Sequence, residues 1–525
     1  MNHAVVCFLI FLVNIYLVTT LEDQQHWKNL GIEDIEAALK QQQNIGLAKN
    51  VILFIGDGMG PTTTTAARIY SNSEKHYLSF EKFPNVGVLK TYSADQLVPD
   101  SCSTATALFC GVKANVKTSG VDATVKYGDC AASLNKEAQL DSLISWAQAA
   151  GKRTGFVTTT RVTHATPSAL YAHSPNRNWE CESKMSPNAS QCKDIARQLI
   201  EDLPGRNINV IMGGGRQCLV SDVTGTSDDP IDTWSCFSRD GRNLIEDWKI
   251  SKSKSGVSHA VVANNNDLNT LKLNTEYVLG IFANGHLKMN HERNPAPHGM
   301  PSLTNMTEKA ILLLQNNRNG FFLMVEGGMI DFAHHRGHAR QALSETVEFS
   351  NAVQKAVELT KKVSYETLII VTADHSHSLV FTGSAKRSVS ILGADEKSEI
   401  DNIPYTTLLY GTGGGNNYQF EVVDNTMKRR NPQLDDTISY DYSQQAAVLV
   451  DEVKHSGTDV IIYAVGPMAH LFHNVHEQTY VAYVISYAAK IGPFAGNGGE
   501  NVSFVKYLLI SVIIINCFVS KILRE

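Results

Sequence analysis

Four carboxylates in this chain sit at or just beyond the ends of apolar runs. NVILFIGD ends at Asp57, FFLMVE ends at Glu326 with Asp331 soon after it, and TLIIVTADH ends at Asp374 and His375. If these runs are neighbouring strands, the acids meet in one crevice at the carboxyl edge of a sheet. Unpaired, they would repel and raise one another's pKa values. Divalent cations are the natural remedy. Asp331 and His335 share one helical face if that segment is helical. Mixed imidazole and carboxylate ligation suits zinc, and oxygen-only ligation suits magnesium. A lone Asp-x-x-x-His is common on solvated helices, and Asp57 alone could be a loop acid held by backbone amides. The combination carries more than any member.

A second stretch, VPDSCSTATALFCGVK over residues 98–113, places Ser101 where a helix opens. The free N–H groups and dipole there favour an anion. Ser101 therefore reads either as a cap or as a nucleophile, and the two roles are compatible. A serine hydroxyl needs a base or a metal to attack. Two glycine runs are set aside. GDGMG has its third glycine misplaced for a dinucleotide fingerprint, and GGGR after residue 212 lacks the ending of a P-loop.

The elements that would position these residues follow from the periodicity. Strands are expected at 50–56, 154–160, 209–212, 321–325 and 367–373. Helices are expected from 61, over 140–150, 194–203, 307–314 and 341–363. Alternation with continuous apolar strands predicts an α/β fold. It has a large, mostly parallel central sheet flanked by helices on both faces. Residues 383–445 are more polar and turn-rich and read as an inserted, crown-like subdomain.

The chain has 525 residues, 43% of them hydrophobic, enough for a large core. A net charge of -6 without a basic patch argues against a nucleic-acid partner. Residues 1–20 read as a signal peptide. Near the other end, Asn497-Gly498-Gly499, a polar spacer and a short apolar tail follow the order of a glycosylphosphatidylinositol (GPI) anchor signal, with a short membrane helix as the alternative. The mature chain is then 21–497, attached at Asn497, and 498–525 is removed. Asn188 and Asn305 are glycosylation acceptors. Of nine cysteines, Cys7 and Cys517 leave with the ends; the odd number remaining implies a free thiol.

Taken together, NVILFIGDGMG, VPDSCSTATALFCGVK, TTTRVTHATPSALYAHSPNRNW, MVEGGMIDFAHH, VTADHSH and KHSGTDV resemble the alkaline phosphatases of the GPI-anchored animal type, over about residues 48–491. The resemblance implies that Ser101 takes the phosphoryl group. Asp57, Asp374 and His375 would hold the zinc beside it. Asp331, His335 and His455 would hold a second zinc that serves the hydrolytic step. Asp57, Thr166 and Glu326 would hold magnesium, with His164 near that ion. The implied cofactors are two zinc ions and one magnesium ion per subunit. Arg177 would grip phosphate, its planar guanidinium reaching two oxygens at once. His334 and His377 are read as orienting or structural. The implied reaction is hydrolysis of small phosphate monoesters through a phosphoserine, by a homodimer anchored to the outer leaflet of the cell membrane. Cys130 and Cys192 are expected to pair, Cys218 and Cys236 are a second candidate pair, and Cys110 is expected to be free and buried.

Departures from that pattern stand out. The vertebrate relatives' calcium site is doubtful here, because Ala283 follows Phe282 where an acid is expected, and Asn294 replaces another acid. Phe332 stands where those relatives have histidine, giving a more apolar rim. Cys102 beside Ser101 is unusual. A diesterase or sulfatase of the same superfamily is the competing enzyme reading. A sulfatase needs C/S-x-P-x-R, which SCSTA lacks, and diesterases generally use threonine at the nucleophile. A surface receptor with vestigial catalysis is the third reading, against which the complete ligand set speaks.

Overall fold

Apolar runs covered on both faces become strands. The computed structural model of the chain describes residues 24–414 and 420–496. Its main strands are β1 (Asn50–Gly56), β2 (Asn85–Lys90), β3 (Arg153–Arg161), β4 (Val210–Gly214), β5 (His259–Val262), β6 (Tyr277–Ile281), β7 (Phe321–Gly327), β8 (Thr367–Ala373), β9 (Val460–Val465) and β10 (Asn474–Glu477). They form one ten-stranded sheet in the order β10-β2-β9-β8-β1-β7-β3-β4-β6-β5. β9 runs antiparallel to β2 and β8, and the other pairings are parallel. Every residue of β1, β7 and β8 is buried, as cover on both faces requires.

The register at the centre places the chemistry. Gly56 of β1 is opposite Gly327 of β7 and Ala373 of β8. Ile55 and Thr158 both pair with Glu326. Asp57, Glu326 and Asp374 therefore emerge at one edge of three adjacent strands.

The described residues fall into two units, divided between Gln43 and Asn44. The first carries helix α1 (Gln24–Lys40), none of whose residues is buried. In the second, α2 (Ser101–Cys110) is wholly buried and stops at Gly111, whose φ of 73° suits glycine. α3 (Met329–His335) follows β7 directly, and α4 (Ala339–Thr360) is amphipathic. On α4, Phe349 is buried against Phe54 of β1, ring centroids 5.8 Å apart. The helix expected over 140–150 spans Leu143–Ala149, because the Ser142 hydroxyl accepts from the Ile144 and Ser145 amides and fixes the start. The helix expected from 307 likewise starts at Leu303, where the Ser302 hydroxyl accepts from the Asn305 amide.

Short strands break the rhythm after β8. Leu379–Phe381, Leu408–Gly414 and Ala446–Val450 form a three-stranded sheet, and Phe420–Val423 pairs with Thr426–Arg429. The outer strands of that sheet lie just beyond the expected limits of 383 and 445. The expected signal peptide, Asn497, the removed tail, Cys7 and Cys517 lie outside the described residues. Among the described residues, no helix is long and apolar enough to cross a membrane.

Cys130 and Cys192 are joined. The second bridge corrects the sequence reading: Cys236 pairs with Cys181, and Cys218 stays a thiol. All three sulfurs share one small buried cluster. The Cys218 thiol is instead directed at the Cys236 carbonyl (3.4 Å) and the Glu180 carboxylate (3.9 Å). Spacing along the chain does not reveal which of two buried sulfurs reaches a third. Cys102 and Cys110 are also free and buried. Burial pushes the Cys102 thiol up to about 12, so it is not a thiolate near neutral pH. Asn188 and Asn305 are both exposed.

Candidate active site

Capping of α2 falls to Asp100, not to Ser101. The Asp100 side chain accepts from the Ser103 amide at 3.2 Å and the Lys117 amide at 2.9 Å. Its other oxygen pairs with Arg177 Nη1 at 3.0 Å. Burial alone would raise this carboxyl. The guanidinium and the two amides outweigh it and hold the pKa below the usual value. Relieved of capping, the Ser101 hydroxyl sits 3.2 Å from His375 Nε2, buried at the head of the helix.

Around it the structure gathers three groups of ligand-type side chains. In each, the ligand atoms lie within 4.8 Å of one another. The first is Asp57, Asp374 and His375, with His375 Nε2 3.6 Å from Asp57 and 3.3 Å from Asp374. Asp374 is oriented by the Gly58 amide at 3.0 Å and its own neighbour's amide, that of His375, at 2.8 Å. Gly58 has φ 68°, and a Cβ there would lie 2.6 Å from the His377 ring and 3.1 Å from Asp331. The glycine-rich turn thus serves close approach of the backbone to the site.

The second group is Asp57, His164 and Glu326. Glu326 Oε2 accepts from Thr158 and from Thr160. Its Oε1, both oxygens of Asp57 and the Thr166 hydroxyl are buried with no hydrogen-bond partner. Orphaned buried oxygens are costly unless something binds them. These oxygens, with spare lone pairs, fit a hard cation such as magnesium, and His164 Nδ1 in the same group is likewise buried without a partner.

The third group is Asp331, His335, His377 and His455. Asp331 Oδ2 is 3.3 Å from His335 Nε2, and Oδ1 is 3.4 Å from His455 Nε2 and bonded to His377 Nε2. His455 reaches the site because His455–Ser456 pairs with Ser376–His377. This nitrogen-rich set fits zinc.

Electrostatics agree with a site built for cations. Burial, then Asp331, Asp374 and Glu326, push Asp57 well above the carboxylate range. Burial raises Asp374 to about 6 and Glu326 to about 7. Asp331 goes the other way, because His335 and His377 outweigh its burial. Burial drives His375 well below the usual imidazole value, keeping it neutral, as a ligand must be. Arg177 Nη2 lies 3.3 Å from His164 Nε2, so the guanidinium borders the second group.

Asp57, Glu326, Asp331, His335, Asp374, His375 and His455 all fall in these groups; Thr166 lies outside them but close enough to Glu326 to lower its pKa. Reasoning from the sequence missed the capping carboxylate Asp100 as the anchor of Arg177, and Thr158 and Thr160 as holders of Glu326. It also left His377 unassigned between roles, although its place two residues after His375 was the available signal. His334, by contrast, has both ring nitrogens taken, by the Thr63 hydroxyl (3.0 Å) and the Tyr410 hydroxyl (2.7 Å), although its ring lies 5.0 Å from that of His377. At the doubtful calcium stretch, Asn284 is occupied: its Oδ1 accepts from Arg216 at 2.9 Å and its amide donates to the Thr224 and Asp229 carbonyls.

Residues 48–491 match the alkaline phosphatase family. The chain is 43% identical over 510 residues to the human tissue-nonspecific alkaline phosphatase isozyme, covering 93% of this chain and 94% of that protein. It is 42% identical to the alkaline phosphatase of Gadus morhua, covering 90% and 98%. It is 39% identical to alkaline phosphatase 4 of Drosophila melanogaster, covering 90% and 82%. The fold is also similar to the crystal structure of Thermus thermophilus alkaline phosphatase, with a TM-score of 0.59 at 21% identity over 86% and 93% of the two chains.

Proposed function

The chain belongs to the alkaline phosphatase family, enzymes that hydrolyse phosphate monoesters, and we propose that it does so through a covalent phosphoserine at Ser101. The observation that carries this reading is the Ser101 hydroxyl, freed from capping and set 3.2 Å from His375 of the first ligand group, which shares Asp57 with the second.

We assign Asp57, Asp374 and His375 to one zinc ion, Asp331, His335 and His455 to a second, and Asp57, Thr166 and Glu326 to magnesium. When bound, these ions supply Lewis acidity, lowering the pKa of an oxygen ligand and neutralising phosphoryl charge. The residues supply position. Arg177, tethered by Asp100, presents its fork to two nonbridging oxygens. Free amides at the start of α2 face the same charge. Ser101 Oγ attacks phosphorus as the bond to the alcohol oxygen breaks, and the alcohol leaves with a proton. A water oxygen then attacks phosphorus from the vacated side, the Ser101 ester bond breaks, and inorganic phosphate departs. His164 borders both Arg177 and Glu326 and so positions the phosphate grip against the magnesium set.

Rapid quenching of the metal-replete enzyme with labelled phosphate should trap one phosphoryl group on Ser101. A label elsewhere, or unimpaired turnover by Ser101→Ala, overturns the assignment.

The same reading extends to the whole chain. Residues 1–20 are a signal peptide, 21–497 the catalytic domain with its crown-like insert at 383–445, and 498–525 a tail exchanged for a GPI anchor at Asn497. The homodimer then works on the extracellular face, glycosylated at Asn188 and Asn305. Their exposure supports glycosylation. Release of activity from intact cells by phosphatidylinositol-specific phospholipase C tests the anchor; retention on the membrane rejects it.

A further inference from the structure

Phe332 and Arg336 are left unused by the phosphate chemistry. Phe332 follows Asp331 on α3, and Arg336 follows His335 as the cap of that helix. One residue is a turn of about 100°, so both project round the helix from the ligand face. The Arg336 guanidinium lies 4.1 Å above the Phe332 ring. Phe332 packs on Met289, Met329, Ala333 and Ala342, which fixes the ring as a shelf.

These two residues are joined to the phosphate grip by an unbroken line of contacts. The Phe332 ring lies 5.2 Å from that of His286, and His286 lies 5.1 Å from His164. His164 is 3.3 Å from Arg177. Phe332 is half-buried and Arg336 is exposed.

The arginines nearby differ in what they hold. Arg161 is spent on Glu180 and Asp232, and Arg177 is tethered to Asp100. The Arg336 guanidinium makes no hydrogen bond or ion pair with any described residue. Glu292 and Asp232 lie near enough to be felt, but neither pairs with it. A guanidinium held over an aromatic ring loses none of its donors to the ring, so its fork stays open to another partner. Its natural partner is a planar or multi-oxygen anion.

We infer that Phe332 and Arg336 form a leaving-group subsite that favours phosphate monoesters whose alcohol carries a second anionic group, a carboxylate or a further phosphate. The inference rests on the phosphatase reading above and names the substrate class that one rim of the site selects. The reacting phosphoryl group sits at Ser101 and Arg177, and the second anion reaches along the line His164, His286, Phe332.

The test compares matched substrates with the metal-replete protein. Meta-carboxyphenyl phosphate against phenyl phosphate reads the carboxylate. Fructose 1,6-bisphosphate against fructose 6-phosphate reads the second phosphate. The readout is the ratio of kcat/KM within each pair. Arg336→Gln should lower at least one ratio by about three- to fivefold, the range of an exposed ion pair, and Arg336→Lys should restore part of it. Phe332→Leu should lower the same ratio by loosening the guanidinium. Rising salt should flatten the ratio in the unaltered protein and not in Arg336→Gln. A fall in only one pair identifies the anion. Ratios unchanged in Arg336→Gln, or equal losses on both members of each pair, overturn the inference. Failure of the unaltered protein to hydrolyse phenyl phosphate would instead overturn the phosphatase reading itself.

Discussion

The Nε2 atoms of His335 and His455 lie 3.0 Å apart, while the Nδ1 atoms face the Val453 carbonyl at 2.8 Å and the Pro99 carbonyl at 2.9 Å. Those carbonyls accept from Nδ1–H, so in the neutral rings both Nε2 lone pairs face each other. Only a proton or a cation between them removes the repulsion.

Chelation should therefore lower the melting temperature, and added zinc should restore it, as followed by calorimetry together with metal analysis. His377 touches this group through Asp331. His377→Ala is expected to weaken metal affinity about 10- to 100-fold, the usual effect of losing a group that orients a ligand. Unchanged zinc affinity in that variant would remove His377 from the site.

Asp100 and Ser101 are adjacent but should separate cleanly by mutation. Ser101→Ala should abolish the phosphoenzyme and leave the melting temperature nearly unmoved, since the cap is retained. Asp100→Ala removes the cap, at about 1 kcal/mol, and unties Arg177. It should lower stability and raise KM for phosphate esters while still forming a phosphoenzyme. Equal stability losses in the two variants would contradict this division.

The raised carboxyls set a pH dependence for the metal-free protein. Burial holds Asp374 at about 6, Glu326 at about 7, and Asp57 well above its usual value. Unfolded, these groups titrate near about 4. Between about pH 4 and 7 the folded chain thus binds more protons than the unfolded chain. Their contribution to stability falls as pH rises through that window. Metal affinity, which needs the deprotonated forms, rises over the same range. Asp57→Asn should therefore stabilise the metal-free protein at pH 7 and flatten its melting profile, while losing metal and activity. Destabilisation of the metal-free form by this change would refute the argument.

The cysteine pairing is open to peptide mapping. A crosslinked peptide joining Cys181 to Cys236 is expected, with Cys218 alkylated only after unfolding. Cys236→Ser should cost about 2–4 kcal/mol by freeing a long loop, and Cys218→Ser should cost less. A Cys218–Cys236 crosslink would reverse the assignment.

What the sequence by itself determined is local. An apolar run followed by an acid is a buried strand with its carboxylate at the exit, so Asp57, Glu326 and Asp374 were legible one by one. A small-residue helix opening at Ser101 was legible for the same reason, and the family's motifs supplied which ligands belong together. The tertiary structure alone decided the rest. The order β8-β1-β7 brings three exits to one edge, and pairing of 455–456 with 376–377 carries His455 across to Asp331. Packing chose Cys181 over Cys218 as partner of Cys236, and left the Arg336 guanidinium lying open on Phe332. Hydrophobic periodicity is written residue by residue, whereas a contact between distant segments depends on register and on which side chains compete for the same space.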